Sequence, residues 1–99
     1  ELDASWTHEF FANQNNDRAD DYVEASAKAG DFELEQRPFP FKWGEDFGLF
    51  TQKFKGCMFG IGSGVDCPAL HNPDYDFPDE ILPTAISMFN GIIREALKD

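Results

Sequence analysis

The spacing of hydrophobic positions changes several times along this chain, which predicts strands and helices in alternation. The opening segment, ELDASWTHEFFA, alternates polar residues with apolar ones at Leu2, Ala4, Trp6 and Phe10. Alternation with a period of two is typical of a strand with one buried face. We therefore predict a half-buried strand in residues 1 to 12.

The next segment has the signals of a helix. Asn16 can accept hydrogen bonds from free backbone amides at a helix start, and acidic residues follow it where the positive helix end stabilises them. Apolar residues then recur at helical spacing, at Ala19, Tyr22, Val23 and Ala27. Gly30 suits a left-handed residue that ends a helix. We predict a helix from about 17 to 29.

The middle of the chain predicts two strands with a short helix between them. DFELEQRP alternates again, which indicates a short strand ended by Pro38. After Gly44 the phenylalanines fall three and four positions apart, at Phe47, Phe50 and Phe54, which predicts a helix from about 45 to 53. The apolar run GCMFGIGSG then predicts a buried strand that leads into a tight loop.

The last segment has the clearest helical periodicity. Pro83 is tolerated only near the start of a helix, so this helix should begin close to Asp79 or Glu80. The predicted order is strand, helix, strand, helix, strand, helix, which favours an α/β fold in which helices cover a sheet. The apolar positions of this last helix are Ile81, Leu82, Ala85, Ile86, Phe89, Ile92, Ile93, Ala96 and Leu97.

Composition indicates one small acidic domain. Hydrophobic residues make up 41% of the 99 residues, enough for a core. Acidic residues outnumber basic ones by 19 to 8, for a net charge of −11, which repels nucleic acid phosphates and anionic membrane surfaces. No apolar run reaches the roughly 20 residues that span a bilayer. We therefore expect a cytoplasmic protein that binds neither nucleic acid nor membrane.

Two further features bear on the cellular environment and on completeness. Cys57 and Cys67 are too few for a disulfide framework, so we expect both to be reduced and structural. The chain begins at Glu1 rather than at a methionine. We therefore expect a piece of a longer protein, and a signal peptide ahead of it stays open.

His71 is the first candidate for chemistry. It lies between a predicted buried strand and the last helix, near the strand end, where α/β folds place ligands. Taken alone, a loop histidine is most often a surface or hydrogen-bonded residue. A metal site needs three or four ligands, and Cys67 with His71 supply two at most. The acids of DYDFPDE lack EF-hand spacing, so a helix start explains them better than calcium does.

The other candidate motifs indicate less. GIGSG lacks the residue order of phosphate-binding loops. Glu45 and Asp46 could perform acid–base chemistry, although a helix cap explains them equally well. Ser63 has no partner at a motif spacing, and His8 lies on the polar side of a predicted strand, so the sequence indicates no activated nucleophile.

Four segments follow one another along the chain in an order that occurs in a known family: FFANQNN, GEDFGLF, CMFGIGSG and LHNPDYDFPDEILPTAISMF. Together they resemble the C-terminal part of the metal-dependent amidohydrolases, a family that includes aminoacylases, carboxypeptidases and auxin-conjugate hydrolases. The likeness is specific in residues 44 to 83 and loose before about 40. Asn15 matches a family asparagine. The departures are Phe11 for the usual Pro, Gly44 for Ser, Tyr75 for Phe, and Pro78 within the acidic run.

The resemblance implies a place in a longer parent protein. His71 matches a histidine that binds a two-metal centre, expected to hold zinc, whereas the other ligands and the catalytic glutamate of the family have no counterpart here. The implied fold is a fragment of a three-layer α/β/α metallopeptidase-type domain. Residues 1–12 would be the last strand of the lid or dimerisation domain, and residues 13–99 the C-terminal part of the metal-binding catalytic domain. The candidates for active-site lining are Asn15, Glu45 and Asp46.

The resemblance also implies the reaction and the partners. The parent would hydrolyse amide bonds of N-acyl amino acids or short peptides, whereas the isolated chain should be inactive and bind no metal. Its expected partners are the missing N-terminal part of the parent and a second copy, through an exposed aromatic cluster. Two alternatives stay open: a non-catalytic binding or interaction domain on the same scaffold, and a parent without metals, which Gly44 permits. The aromatic cluster consists of Phe39, Phe41, Trp43, Phe47 and Phe50.

Overall fold

A computed structural model describes residues 1 to 99 and contains helices but no strand. Helix α1 spans Asp17–Ala29, and the short helix α2 spans Gly48–Thr51. A single 3-10 turn, Asp79–Ile81, leads directly into helix α3, Leu82–Leu97. None of these helices combines the length and the apolar content that crossing a membrane requires.

The predicted α/β fold is wrong, both as an alternation of strands and helices and as a three-layer fragment, because no sheet forms. The segments predicted as strands, residues 1–12, 31–38 and 56–64, form neither strand nor helix. A strand exists only through hydrogen bonds to a neighbouring strand. Alternation in the sequence predicts which face of a strand would be apolar, but it does not show that a second strand lies beside it. The apolar residues of the first segment are accordingly exposed, Leu2 at 93% and Trp6 at 86%.

The start of α1 is as predicted. Asn16 precedes the helix and accepts a hydrogen bond at its side-chain oxygen from the backbone N–H of Ala19, at 3.4 Å. This bond satisfies one of the amides that a helix start leaves free. Helix α1 thus begins where its cap and its acidic first turn predict.

The end of α1 differs in one residue from the prediction. Asp31, not Gly30, has the left-handed backbone, with φ of 55°. The N–H of Asp31 donates to the carbonyl of Lys28 at 3.2 Å, and the N–H of Phe32 donates to that of Ala27 at 2.9 Å, which is the Schellman pattern. A Cβ atom at Gly30 would lie 2.5 Å from the Phe32 ring. Glycine at position 30 therefore makes room for that ring.

The two later helices were predicted with different success. The helix expected over residues 45 to 53 is reduced to the four residues of α2, after a turn at residues 46 and 47. Helix α3 has Pro83 in its first turn and follows the 3-10 turn that begins at Asp79. The predicted start of the last helix is therefore confirmed.

The contacts within the chain define two units. The first consists of Glu1–Asp21 and Glu35–Met58, and the second of Tyr22–Leu34 and Phe59–Asp99. Each unit joins segments that are distant in sequence, and α1 contributes residues to both.

In the first unit, residues 10 to 12 lie against α2 and the turn before it. A Cβ atom at Gly44 would be 2.3 Å from the ring of Phe10, and one at Gly48 would be 2.2 Å from the carbonyl oxygen of Phe11. The two glycines therefore permit a close approach of this segment. Glycine at position 44 leaves room for the ring of Phe10.

The predicted aromatic cluster also belongs to the first unit and is largely exposed. The rings of Phe41 and Trp43 stack with centroids 4.3 Å apart, and Arg37 lies 5.7 Å from the centroid of Phe41. Phe39 and Phe50 are exposed as well. Phe47 is half-buried. The expected exposure is therefore confirmed for four of the five cluster residues, whereas association through the cluster stays a prediction.

The second unit has a small core where the C-terminal half of α1 meets α3. Its buried apolar side chains are Val23, Ala27 and Met88. The hydroxyl of the buried Ser26 donates to the backbone carbonyl of Met88 at 2.9 Å. A Cβ atom at Gly91 would come within 2.0 Å of that hydroxyl oxygen. A serine and a glycine thus let the two helix backbones approach closely.

Candidate functional site

A cluster of polar groups in the first unit is centred on Asn15. The side-chain amide of Asn15 donates from Nδ2 to the carbonyl of Met58 at 3.0 Å, and the N–H of Met58 donates back to Oδ1 at 2.9 Å. Next to it, the N–H of Asn16 donates to the carbonyl of Gly56 at 2.9 Å. These bonds are the kind that a neighbouring strand would provide, so Asn15 takes the place of a backbone partner for Met58.

The same cluster contains a thiol paired with a carboxylate. Cys57 donates from Sγ to Oδ1 of Asp20 at 2.6 Å, and Asn15 donates to the same oxygen from Nδ2 at 3.0 Å. Burial, then the hydrogen bond to Asp20, then its negative charge raise the pKa of Cys57 to about 12. Cys57 therefore stays protonated at neutral pH, which makes it a poor nucleophile. Both cysteines are free, as predicted.

The two other candidates of the first unit lie next to each other before α2. Glu45 accepts a hydrogen bond at Oε2 from the backbone N–H of Asp46, at 2.9 Å. Both residues are exposed. The contact of Glu45 is local and stabilises the turn, and the carboxylate of Asp46 remains accessible to solvent.

His71 lies in the second unit, in a series of turns that leads to α3. The N–H of Asn72 donates to the carbonyl of Ala69 at 3.0 Å, and the N–H of Tyr75 donates to that of Asn72 at 3.0 Å. His71 itself is exposed and has a left-handed backbone, with φ of 72°. The turns thus present its imidazole to solvent close to the start of α3.

The residues of this chain do not by themselves fit a metal centre. No group of three or more His, Cys, Asp or Glu side chains is placed to hold an ion. Zinc sites in proteins use three or four protein ligands. A metal bound at His71 would therefore need ligands from outside these 99 residues.

The four predicted site residues do not all lie in the same unit of the structure. Asn15 joins Asp20 and Cys57, which the sequence did not indicate as a site. Asn15 and Cys57 are 42 positions apart, and Cys57 and Asp20 are 37 apart, so no motif spacing connects them. Glu45 and Asp46 belong to the same unit as Asn15, and His71 belongs to the other.

Comparison with known proteins gives partial similarities to enzymes of two kinds. The chain is 39% identical over 56 residues to an N-acetyldiaminopimelate deacetylase of Streptococcus suis, which covers 56% of this chain and 14% of the deacetylase. It is 33% identical over 86 residues to a hippurate hydrolase of Campylobacter jejuni, which covers 85% of this chain and 22% of the hydrolase. No family model matches the chain. No solved structure matches it either.

The matched region is a small part of each relative. The chain spans less than a quarter of the length of the curated proteins that it matches. Both relatives are amide-bond hydrolases. The chain is therefore similar, over most of its own length, to part of an amidohydrolase.

Proposed function

We propose that this chain is the C-terminal portion of a longer metal-dependent hydrolase that cleaves amide bonds of N-acyl amino acids or short peptides. The observation that carries the proposal is the 33% identity to a hippurate hydrolase across 85% of this chain. The deacetylase similarity supports the same bond type. Because each relative is several times longer, the chain would contribute one part of the protein, and the activity belongs to the whole.

In that protein His71 would be one ligand of the metal centre, with zinc as the expected ion. Two observations support this role: the LHNP motif around His71, and the exposure of its imidazole in the turns before α3. The remaining ligands and the catalytic carboxylate would come from the part of the protein that precedes residues 1–12. Those residues would end its lid domain, and residues 13–99 would belong to its metal-binding domain.

Asn15, Glu45 and Asp46 would line the same active site. Asn15 would act through the segment that it holds, because its amide is bonded to the backbone of Met58. Glu45 and Asp46 expose their carboxylates and would be accessible to a substrate. These roles rest on the position of the residues in the amidohydrolase motifs.

The test compares two histidine variants of the protein encoded by the complete reading frame. His71→Ala should lose bound zinc and turnover of N-acetyl amino acids together, because the side chain acts through coordination. His8→Ala is the matched control, since His8 is also exposed and also has a positive φ, 56°. Unchanged metal content and turnover in His71→Ala would refute the role of His71.

The isolated chain provides a second test. A single histidine cannot assemble a metal-bound nucleophile, so the 99 residues alone should not hydrolyse N-acetyl amino acids. Turnover that a chelator abolishes, measured on the isolated chain, would contradict the proposal.

A non-catalytic interaction domain is the second candidate. The observation that favours it is the large number of exposed apolar side chains, including Trp43 and Phe89. The coding sequence upstream of Glu1 separates the two candidates. His-x-Asp and Glu-Glu metal-ligand elements there would support the hydrolase, and a stop codon would support the interaction domain.

A further inference from the structure

Helix α3 is apolar on two opposite faces. One face packs in the second unit, where Met88 is buried and Gly91 approaches Ser26. The other face carries a line of large apolar side chains that are 45 to 80% exposed. We call this line the outer stripe; it consists of Leu82, Ile86, Phe89, Ile93 and Leu97. A helix that is apolar over so much of its circumference is typically covered on both sides.

The outer stripe has the same residue order in both directions. From Phe89 the next members are isoleucines, three positions before and four after, and then leucines, seven before and eight after. Steps of three and four residues keep all five on one side of a helix. The stripe is therefore close to symmetric about its centre, which is the property that a two-fold interface requires.

We propose that the outer stripe is a self-association surface, on which the α3 helix of a second copy of this chain packs in the antiparallel direction. Leu82 would contact Leu97 of the partner subunit, Ile86 would contact Ile93 of the partner subunit, and the two Phe89 rings would meet at the two-fold axis. The proposal concerns the 99-residue chain and is independent of the proposed function.

The size of the surface indicates a weak dimer. The stripe would bury on the order of 500 Å² per copy, or about 1,000 Å² in total, which is at the lower limit for a specific interface. Phe59 lies beside the stripe, with its ring centroid 5.9 Å from that of Phe89, and would extend the contact.

The net charge of the chain predicts how the affinity of the dimer depends on salt concentration. Each copy has a net charge of −11, whereas no member of the stripe is charged. The two copies repel each other through their remaining surface, and salt screens this repulsion. Association through the stripe should therefore strengthen as salt is added, whereas association through ion pairs would weaken.

The first experiment is sedimentation of the 99-residue chain over a range of concentrations and salt. Ile86→Lys and Ile93→Lys should each raise the dissociation constant at least about tenfold, since every substitution occurs twice in the dimer. The matched control is Leu2→Lys, which replaces an exposed apolar residue of the first unit outside the aromatic cluster and should leave the dimer unchanged. Phe39→Lys is measured beside it, because a loss of association there would assign the interface to the aromatic cluster instead. Circular dichroism of each variant confirms that the helices remain.

Several results of that experiment would overturn the proposal. They are a strictly monomeric wild-type chain, association that weakens with added salt, and a loss of association in Phe39→Lys but not in the α3 variants. A monomer that binds vesicles of zwitterionic phosphatidylcholine through these isoleucines would also overturn it. The outer stripe would then be a lipid-binding surface.

A cross-linking experiment tests the antiparallel direction. Under mild oxidation, a mixture of Ile86→Cys and Ile93→Cys chains should form disulfides between positions 86 and 93, identified by mass spectrometry of the joined peptides. Each variant alone should cross-link poorly at the new cysteine. Efficient 86-to-86 and 93-to-93 links in the separate variants would show a parallel pair and overturn the proposed arrangement.

Discussion

At Cys57, contacts from distant parts of the chain decide what the thiol can do. Its burial and then its hydrogen bond to Asp20 raise the pKa of the thiol and so favour the protonated form. The Asn15 amide, bonded to Met58 and Asp20, holds the residues around this pair in place. The cluster is thus a structural connection between the start of α1 and residues 56 to 58, and its cysteine is protected from reaction.

The raised pKa of Cys57 makes stability depend on pH in alkaline solution. The folded chain keeps this proton up to about pH 12, whereas the unfolded chain loses it near 9.0. Between those values the folded state binds more protons, so the free energy of unfolding should fall as pH rises through this window. Urea unfolding below and above pH 9 measures the effect. Cys57→Ser should show a smaller decrease, because a hydroxyl can donate to Asp20 without titrating there.

Replacing either of two glycines of the first unit with alanine should lower the free energy of unfolding by different amounts. Gly48→Ala should cost about 1–3 kcal/mol of unfolding free energy, because the new Cβ meets the backbone carbonyl of Phe11, 2.2 Å away. Gly44→Ala should cost less than about 1 kcal/mol, since it meets the end of the exposed Phe10 side chain, which can move away. Equal costs in urea unfolding would contradict the arrangement of residues 10 to 12.

Among the elements, the crossing of α1 and α3 depends on close approach more than on apolar area. Ser26 donates to the carbonyl of Met88, and Gly91 leaves the space that the serine hydroxyl occupies. Val23 and Ala27 pack beside this contact. Small residues at the crossing let the two backbones meet, so the geometry of the second unit is sensitive to single atoms there.

Gly91→Ala should destabilise the second unit by about 1–3 kcal/mol, because its Cβ would overlap the hydroxyl of Ser26. The double variant with Ser26→Ala should recover part of that loss, since removing the hydroxyl removes the closest contact. Gly62→Ala is the control, because a Cβ there has no atom within 4 Å. Thermal unfolding followed by circular dichroism reports all three, and additive losses in the double variant would disprove the contact.

The whole chain combines a small core with much exposed apolar surface. Only Val23, Ala27 and Met88 are buried apolar side chains, whereas large residues such as Leu2 and Trp6 are exposed. The similarity to amidohydrolases spans less than a quarter of each relative. Additional protein that covers these side chains would account for an apolar content of 41% in a chain that buries so little.

The isolated chain should therefore unfold with an unusually small heat-capacity change. A folded domain of this length typically gives about 1.2–1.5 kcal/mol/K, and this value follows mainly from the apolar surface exposed on unfolding. We expect less than about half of it, measured by calorimetry at low concentration, where self-association is weakest. A full-sized value for the monomer would show that the apolar side chains are covered within the chain itself.

The sequence by itself determined the features whose interactions are local. Helix hydrogen bonds join residues four apart, so periodicity, the Asn16 cap and Pro83 were enough to predict α1 and the start of α3. Only the tertiary structure decided the rest, because strands and polar clusters need partners from distant segments. Alternating segments found no neighbouring strand, and Asn15, Asp20 and Cys57 came together across separations that no sequence pattern encodes.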